Sequence, residues 1–437
     1  MTYVKADEPG RKIEQNSTGL LVAYLGPALL AVVCLIGCAL GVNGKPLSED
    51  FARFYVPEIN HFITHPLGFD TAPPSASAIP GYPWLQAMVL RLTGHDRVPG
   101  GFSLLRLLHT AIGIGAFTLL ARLLARLGRD AVTVVLLSLL LCVSYYPLQM
   151  TYYSNNQAPA FLFFMAIIAL CAQPPDRQRG AEIGSCALAM VLMRDSMAST
   201  LPAPIAILAL RRSWLQTAIF CLYAAVIALI IYGYWLHWGG LTSPRWQSEA
   251  FPSGISFSVT STLHAFALTG LFSVFLGVPL YREFLLARTQ RCFWLAAGTL
   301  AVIVAALWWI GPSTYSPAQN RLYSIIWRLA ALTPAIGSSS PIVLALALAA
   351  VPMLALMVSR MVRDHTLYPD TAMAATCVAG QFVAALPWQR YVEVPILVGL
   401  GLFTARFASS RPLARLPLAA LVLVYCAVSI FRFLTEP

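Results

Sequence analysis

The residues best suited to chemistry lie in the stretch KPLSEDFARFYVPEINHFITHP, residues 45–66, which gathers Glu49, Asp50, Arg53, Glu58, His61 and His65. The whole chain has 18 acidic residues, so three carboxylates at positions 49, 50 and 58 form a concentration that asks for a reason. A carboxylate held just outside a membrane helix can serve as general base toward an acceptor hydroxyl, whose own pKa is far too high for unassisted attack at neutral pH. Asp50, with Glu49 beside it, is the candidate base, and a solvated loop acid is the alternative reading of the same residues. His61 and His65 stand at i and i+4, which on a helix brings two imidazoles to one face and suits a metal ion, an acceptor contact or a plain surface pair. With no Cys or third ligand nearby, no metal or other cofactor is expected, although a divalent ion stays compatible with the spacing.

Two arginines are candidates for holding phosphate: Arg194 in LMRDSM and Arg390 in PWQRYVEVP. A guanidinium presents a planar fork of donors that fits phosphate oxygens bidentately. Their neighbours Asp195 and Glu393 are the competing partners. The segment YYPLQMTYYSNNQAPAF, residues 145–161, sets Tyr153, Asn155 and Asn156 among aromatics. Tyrosines there fit an interfacial belt, and the amides also suit sugar hydroxyls.

What must position these groups is a membrane bundle. The 437 residues are 58% hydrophobic and 11% charged, against about 25% charged in soluble domains. No polar block is long enough to fold separately, so a soluble domain is excluded. The net charge of +11 comes from basic residues scattered singly between apolar runs, a pattern that marks loops facing the cytoplasm rather than a nucleic-acid surface. Nine cysteines show no CxxC spacing and read as small core residues. The N-terminal MTYVKADEPGRKIEQNSTG is too polar and acidic for a signal n-region, so the first apolar run is expected to remain as a span.

Apolar runs of about 20 residues match the hydrocarbon thickness. They occur near 20–42, 101–123, 131–149, 157–173, 182–193, 197–210, 214–238, 258–279, 292–311, 341–359, 371–387, 394–408 and 416–433, which predicts an all-α polytopic protein of about 11–13 transmembrane helices. With a cytoplasmic N-terminus, the turns bearing Arg122 to Arg129, Arg177 and Arg179, Arg211 and Arg212, Arg282 to Arg291, Arg360 and Arg363, and Arg406 to Arg415 all face the cytoplasm. The alternation requires 182–210 to be two short helices that rise and return around MRDSM. Their apex then lies at membrane depth, where a charge is costly and usually functional. On the outer side lie the loop 43–100, the loop 239–257, the stretch 312–340 and the turn WQRYVE. Within the first loop, Leu85, Met88, Val89 and Leu92 form an apolar face suited to the membrane interface.

The order of these parts resembles membrane glycosyltransferases of the GT-C class, which take sugar from a polyprenyl-phosphate carrier. FYVPEINHF, PLQMTYYSNN, LMRDSM and QRYVEVP fall over nearly the whole chain in the order of the dolichyl-phosphate-glucose α-1,2-glucosyltransferases. The resemblance implies a GT-C-like bundle divided into a helical module 1–280, with its catalytic loop 43–100, and a variable module 281–437. It implies inverting transfer of a hexose from a polyprenyl- or dolichyl-phosphate sugar to a lipid-linked or cell-envelope glycan on the non-cytoplasmic side. Carried over, Asp50 takes the proton with Glu49 beside it, and Arg194, Arg390 and Arg321 meet the donor phosphate. Tyr55, Glu58, His61, Tyr153, Asn155, Asn156 and Tyr391 would contact substrate. No nucleic-acid partner is implied. The Arg-rich, Lys-poor composition fits a GC-rich bacterial gene, hence a bacterial plasma membrane, with the endoplasmic reticulum as the other setting. The rival reading is a transporter or flippase of lipid-linked saccharides, which predicts two related halves; no such repeat is visible.

Overall fold

The computed structural model describes residues 21–40, 55–69, 79–152, 156–174, 179–239, 257–311, 325–383, 389–409 and 411–435. Among them the secondary structure is helical, with one isolated bridge between Ile336 and Ser339. Glu49, Asp50, Tyr153, Asn155 and Arg321 lie outside the described residues, as do the side chains of Arg390 and Tyr391.

The first helix, α1 (Leu25–Ala39), is followed by two helices of the outer loop, α2 (Val56–Thr64) and α3 (Gly81–Leu92). Then come α4 (Val98–Leu127), α5 (Ala131–Val143), α6 (Tyr145–Tyr152) and α7 (Gln157–Cys171). A short pair follows, α8 (Gly180–Met193) and α9 (Pro202–Leu210), joined by a 3-10 turn Asp195–Thr200. The remainder is α10 (Trp214–Trp238), α11 (Val259–Leu276), α12 (Tyr281–Ala287), α13 (Arg291–Ile310), α14 (Ile325–Ala330), α15 (Pro341–Arg363), α16 (Pro369–Ala379), α17 (Gln389–Phe407) and α18 (Pro412–Thr435). Proline opens α2, α4, α9, α15 and α16 in the first two positions, where its missing N–H has no helical partner to lose.

Seven of these helices are long and apolar enough to cross a bilayer, eight if α5 and α6 count as one. The other expected segments take the form of the shorter helices α7, α8, α9 and α16, and of α17, whose 19 residues include Arg390, Glu393 and Arg406. α10 and α13 turn outward Leu215, Leu222, Leu229, Trp294, Val302 and Trp309, an apolar surface that water would not tolerate and lipid does. Trp214 and Trp238 bracket α10 about 36 Å apart at 1.5 Å per residue, the placement of an aromatic belt.

The expected span 131–149 is not a single helix: α5 and α6 meet at Ser144 with a bend of 54°. Pro147 explains the break. In a continuous helix it would offer no N–H to the Val143 carbonyl, and its ring would clash there. Ser144 instead adopts an extended conformation (ψ 161°), and α6 starts afresh.

The Arg-bearing turns gather at one end of the bundle. Asp130 caps α5 by accepting from the Thr133 amide and also pairs with Arg415 at 2.8 Å. Asp370 pairs with Arg406 at 3.2 Å, and Glu283 pairs with Arg360. Ser409 N donates to Pro279 O at 2.8 Å, and Arg211 donates to the carbonyl of Cys171 at 2.7 Å. These pairs are partly buried, so they are screened less than surface pairs.

Between helices in lipid there is no hydrophobic drive, and close packing of small residues takes its place. Gly270 on α11 lies directly against the Leu346 carbonyl of α15, where a Cβ would overlap the oxygen. This contact joins helices on either side of residue 281.

Candidate functional site

The apex of the short pair carries the site. Both of its feet stand at the Arg-rich end: Gly180 N donates to Gln216 Oε1 of α10 at 2.6 Å, and Arg211, just past α9, reaches the end of α7. The pair therefore rises and returns, as its lengths require. The 14 residues of α8 rise about 21 Å, less than the roughly 30 Å hydrocarbon core. Arg194 ends α8 in extended conformation (φ −154°), which frees its side chain from the helix surface.

Arg194 lines a small, half-open cavity of about 40 Å³ with Gln157 and Phe161 of α7, Gln381 after α16, and Val394 and Pro395 of α17. The guanidinium Nε donates to Ser196 Oγ at 3.0 Å, and Asp195 accepts from the Ser196 amide at 2.8 Å. Phe164, Met197 and Cys377 complete largely apolar walls. Three segments singled out in the sequence thus converge here: the end of SNNQ, LMRDSM and the VP of QRYVEVP. Asn156, buried, stands immediately before Gln157 at the start of α7.

The outer loop is folded against this apex. α2 and α3 pack on each other around Tyr55, Ile59, Phe62, Tyr82 and Leu90, and Met193 of the apex joins that core. Gly81 sits on the Leu192 carbonyl and Gly380 on Ser199, both too close for a Cβ. The loop is pinned by Trp84 Nε1 donating to Pro66 O at 2.9 Å and by Val98 N donating to Asn60 Oδ1 at 3.0 Å. On α3 the inward face is Tyr82, Pro83, Gln86, Ala87 and Leu90, whereas Leu92 is exposed and Leu85, Met88 and Val89 are half-buried. Of the expected apolar face, Leu85 and Met88 also pack against the loop core, and Leu92 turns outward.

Of the residues assigned to substrate contact, Tyr55, Glu58 and His61 lie on or beside α2 and Asn156 stands at the start of α7. Tyr55 is buried in the loop core, and Glu58, 2% exposed, lies within electrostatic range of Tyr234 on α10. His61 donates through Nε2 to Gly68 O at 2.8 Å and stacks on His65 with ring centres 5.1 Å apart. The His65 ring in turn meets Thr64 Oγ1 at 2.8 Å. Among the described residues no three His, Cys, Asp or Glu side chains come together as metal ligands would.

Sequence reasoning missed several polar groups around the site. His109, in the middle of α4, donates through Nε2 to Met150 O at 2.8 Å, which leaves Nδ1 to accept from the Tyr82 hydroxyl at 2.5 Å. This relay is fully buried and ties the outer loop to the helix that begins YYPLQM. Burial holds the Tyr82 phenol well above the usual tyrosine range, so it stays a neutral donor. A lone histidine within RLLHTAIG was the available signal. Glu393, fully buried, accepts from Tyr425 at 2.7 Å and from Gln389. Gln157 closes the amide run Asn155-Asn156-Gln157 of the segment 145–161, and Gln381 was a single amide beside an apolar run.

Fold and site together define an all-α, multi-pass membrane protein with a small, apolar-walled cavity beside Arg194. Comparison with protein-family models, with curated proteins and with solved structures finds no match to this chain.

Proposed function

We propose that the chain is an inverting glycosyltransferase that moves a hexose from a polyprenyl- or dolichyl-phosphate sugar to a lipid-linked or cell-envelope glycan on the non-cytoplasmic side of its membrane. The observation that carries this reading is the cavity in which Arg194 stands among apolar walls beside the amides of Gln157 and Gln381. A donor of this class has a matching chemistry: an anionic phosphate joined to a long apolar tail. Fixed donors in a water-poor site act most strongly where charge develops, here on the departing phosphate.

In the proposed step the acceptor hydroxyl attacks the anomeric carbon opposite the phosphate. The C–O bond to phosphate breaks with inversion, the hydroxyl proton passes to Asp50, and the phosphate leaves against Arg194 with Arg390 and Arg321 as further contacts. Asn156, with Tyr153, Asn155 and Tyr391, would bind sugar hydroxyls. His61 would sit at the acceptor side. Tyr55 and Glu58, being buried, would shape the loop rather than touch the acceptor.

The test is radiolabel transfer by the purified full chain, offered a panel of polyprenyl-phosphate sugars and, separately, sugar nucleotides. Transfer with inversion from a lipid phosphate is the expected result. Transfer from a sugar nucleotide with no lipid carrier present would refute the donor class. Movement of unaltered label across proteoliposomes, with no transfer, would favour a carrier of lipid-linked saccharides instead.

A further inference from the structure

A second cavity lies on the lipid-facing flank, at the Arg-rich end and apart from Arg194. It is an open groove of about 450 Å³ between α11, α12 and α15, lined by Val274, Val278, Tyr281, Leu285, Ala349 and Pro352. Its walls are apolar and open outward: Val274 is 53% exposed and Leu285 47%. Pro352, inside α15, removes one helix hydrogen bond and adds a ring where the groove deepens. Its lining on α15 runs from Ala349 to Met353, about 6 Å along the helix, and Arg360 stands about 10 Å further toward the charged end.

The mouth of this groove is positively charged. Arg411 lies over the Tyr281 ring at 5.4 Å, and Arg282 Nε donates to the Tyr281 hydroxyl at 3.1 Å. Both guanidiniums are otherwise exposed. The nearby carboxylate, Glu283, pairs with Arg360 and leaves the positive charge of the other two unopposed by it. An apolar trough whose lining residue Tyr281 is met by two arginines, one over its ring and one at its hydroxyl, matches a molecule with an anionic head and a hydrocarbon chain.

We infer that this groove is a binding site for one anionic glycerophospholipid, with an acyl chain along α11 and α15 and its phosphate between Arg282 and Arg411. The site is independent of the transfer reaction proposed above. Each guanidinium near a membrane surface favours an anionic lipid about fivefold, and two together about thirtyfold.

The experiment is native mass spectrometry of the full chain in detergent, titrated with phosphatidylglycerol, phosphatidylcholine or inorganic phosphate. Wild type is expected to retain one phosphatidylglycerol at least tenfold more strongly than phosphatidylcholine. Arg282→Gln with Arg411→Gln should abolish that preference, and Val274→Trp, which fills the groove from an exposed position, should lower retention of the same lipid. Each variant's thermal unfolding is read alongside, because Val274→Trp leaves the charges intact and the arginine pair leaves the groove intact. Equal retention of the two lipids by wild type would overturn the proposal. So would competition by inorganic phosphate at equal concentration with no effect of Val274→Trp, since a headgroup site alone would then suffice.

Discussion

Arg194→Lys asks whether the guanidinium, rather than positive charge alone, acts in the cavity. The Nε hydrogen bond to Ser196 holds the group in one orientation, so that its planar fork faces a fixed direction. An ammonium keeps the charge and loses the fork. If two charge-assisted hydrogen bonds reach the departing phosphate, losing one costs about 1.5–3 kcal/mol, a fall of roughly 10- to 150-fold in turnover. Arg194→Gln loses both bonds and the charge, and is expected to fall by on the order of 10²–10⁴-fold. Ser196→Ala removes only the orienting bond, about 0.5–1.5 kcal/mol, a two- to tenfold loss. The assay is steady-state transfer from a polyprenyl-phosphate sugar with kcat and KM resolved. Because the interaction strengthens as phosphate departs, the loss should fall on kcat. A rise in KM at unchanged kcat, or Arg194→Gln within twofold of wild type, would refute the argument that Arg194 meets developing charge.

Asp50→Asn keeps size and hydrogen bonding but removes the basic lone pair, so turnover should fall by about 10²–10⁴-fold with donor affinity little changed, while Glu49→Gln is milder. The reverse ranking in the same transfer assay would move the base to Glu49. Tyr82→Phe leaves His109 Nδ1 buried without its donor, which costs about 1–3 kcal/mol and should appear as a lower thermal midpoint of the purified protein. An unchanged midpoint would mean that the relay does not hold the loop. For topology, a membrane-impermeant maleimide applied from outside should label Ser75→Cys and Ser253→Cys but not Arg179→Cys or Arg363→Cys, in a background lacking the exposed Cys38 and Cys221. Labelling of the last two would invert the assigned orientation.

The lengthwise organisation of the bundle was legible because bilayer thickness and the cost of buried charge act on each segment separately. The rise and return around Arg194 follows from segments too short to cross and from the arginines on either side. Sideways organisation was not legible. α7, α10 and α11 are apolar nearly all round, so no stripe announces which face meets a neighbour. The convergence of Gln157, Arg194, Gln381 and Pro395 depends on those faces. Pro147 did announce a break within 131–149, but the length of the apolar run concealed it.

The paired acids and arginines at one end also decide where the molecule can yield. Asp130 with Arg415, Asp370 with Arg406 and Glu283 with Arg360 fasten the feet of α5 to α18, α16 to α17 and α12 to α15, as rivets hold the ribs of a fan. Spreading the ribs from that end would separate partly buried charges, which is expensive. The opposite end, where α2 and α3 rest on the apex, is held by the backbone contact at Gly81, the packing of Met193 and the Tyr82–His109 relay. Parting the helices at the Arg-rich end therefore means separating partly buried ion pairs, and lifting the outer loop means breaking apolar packing and a neutral buried hydrogen bond.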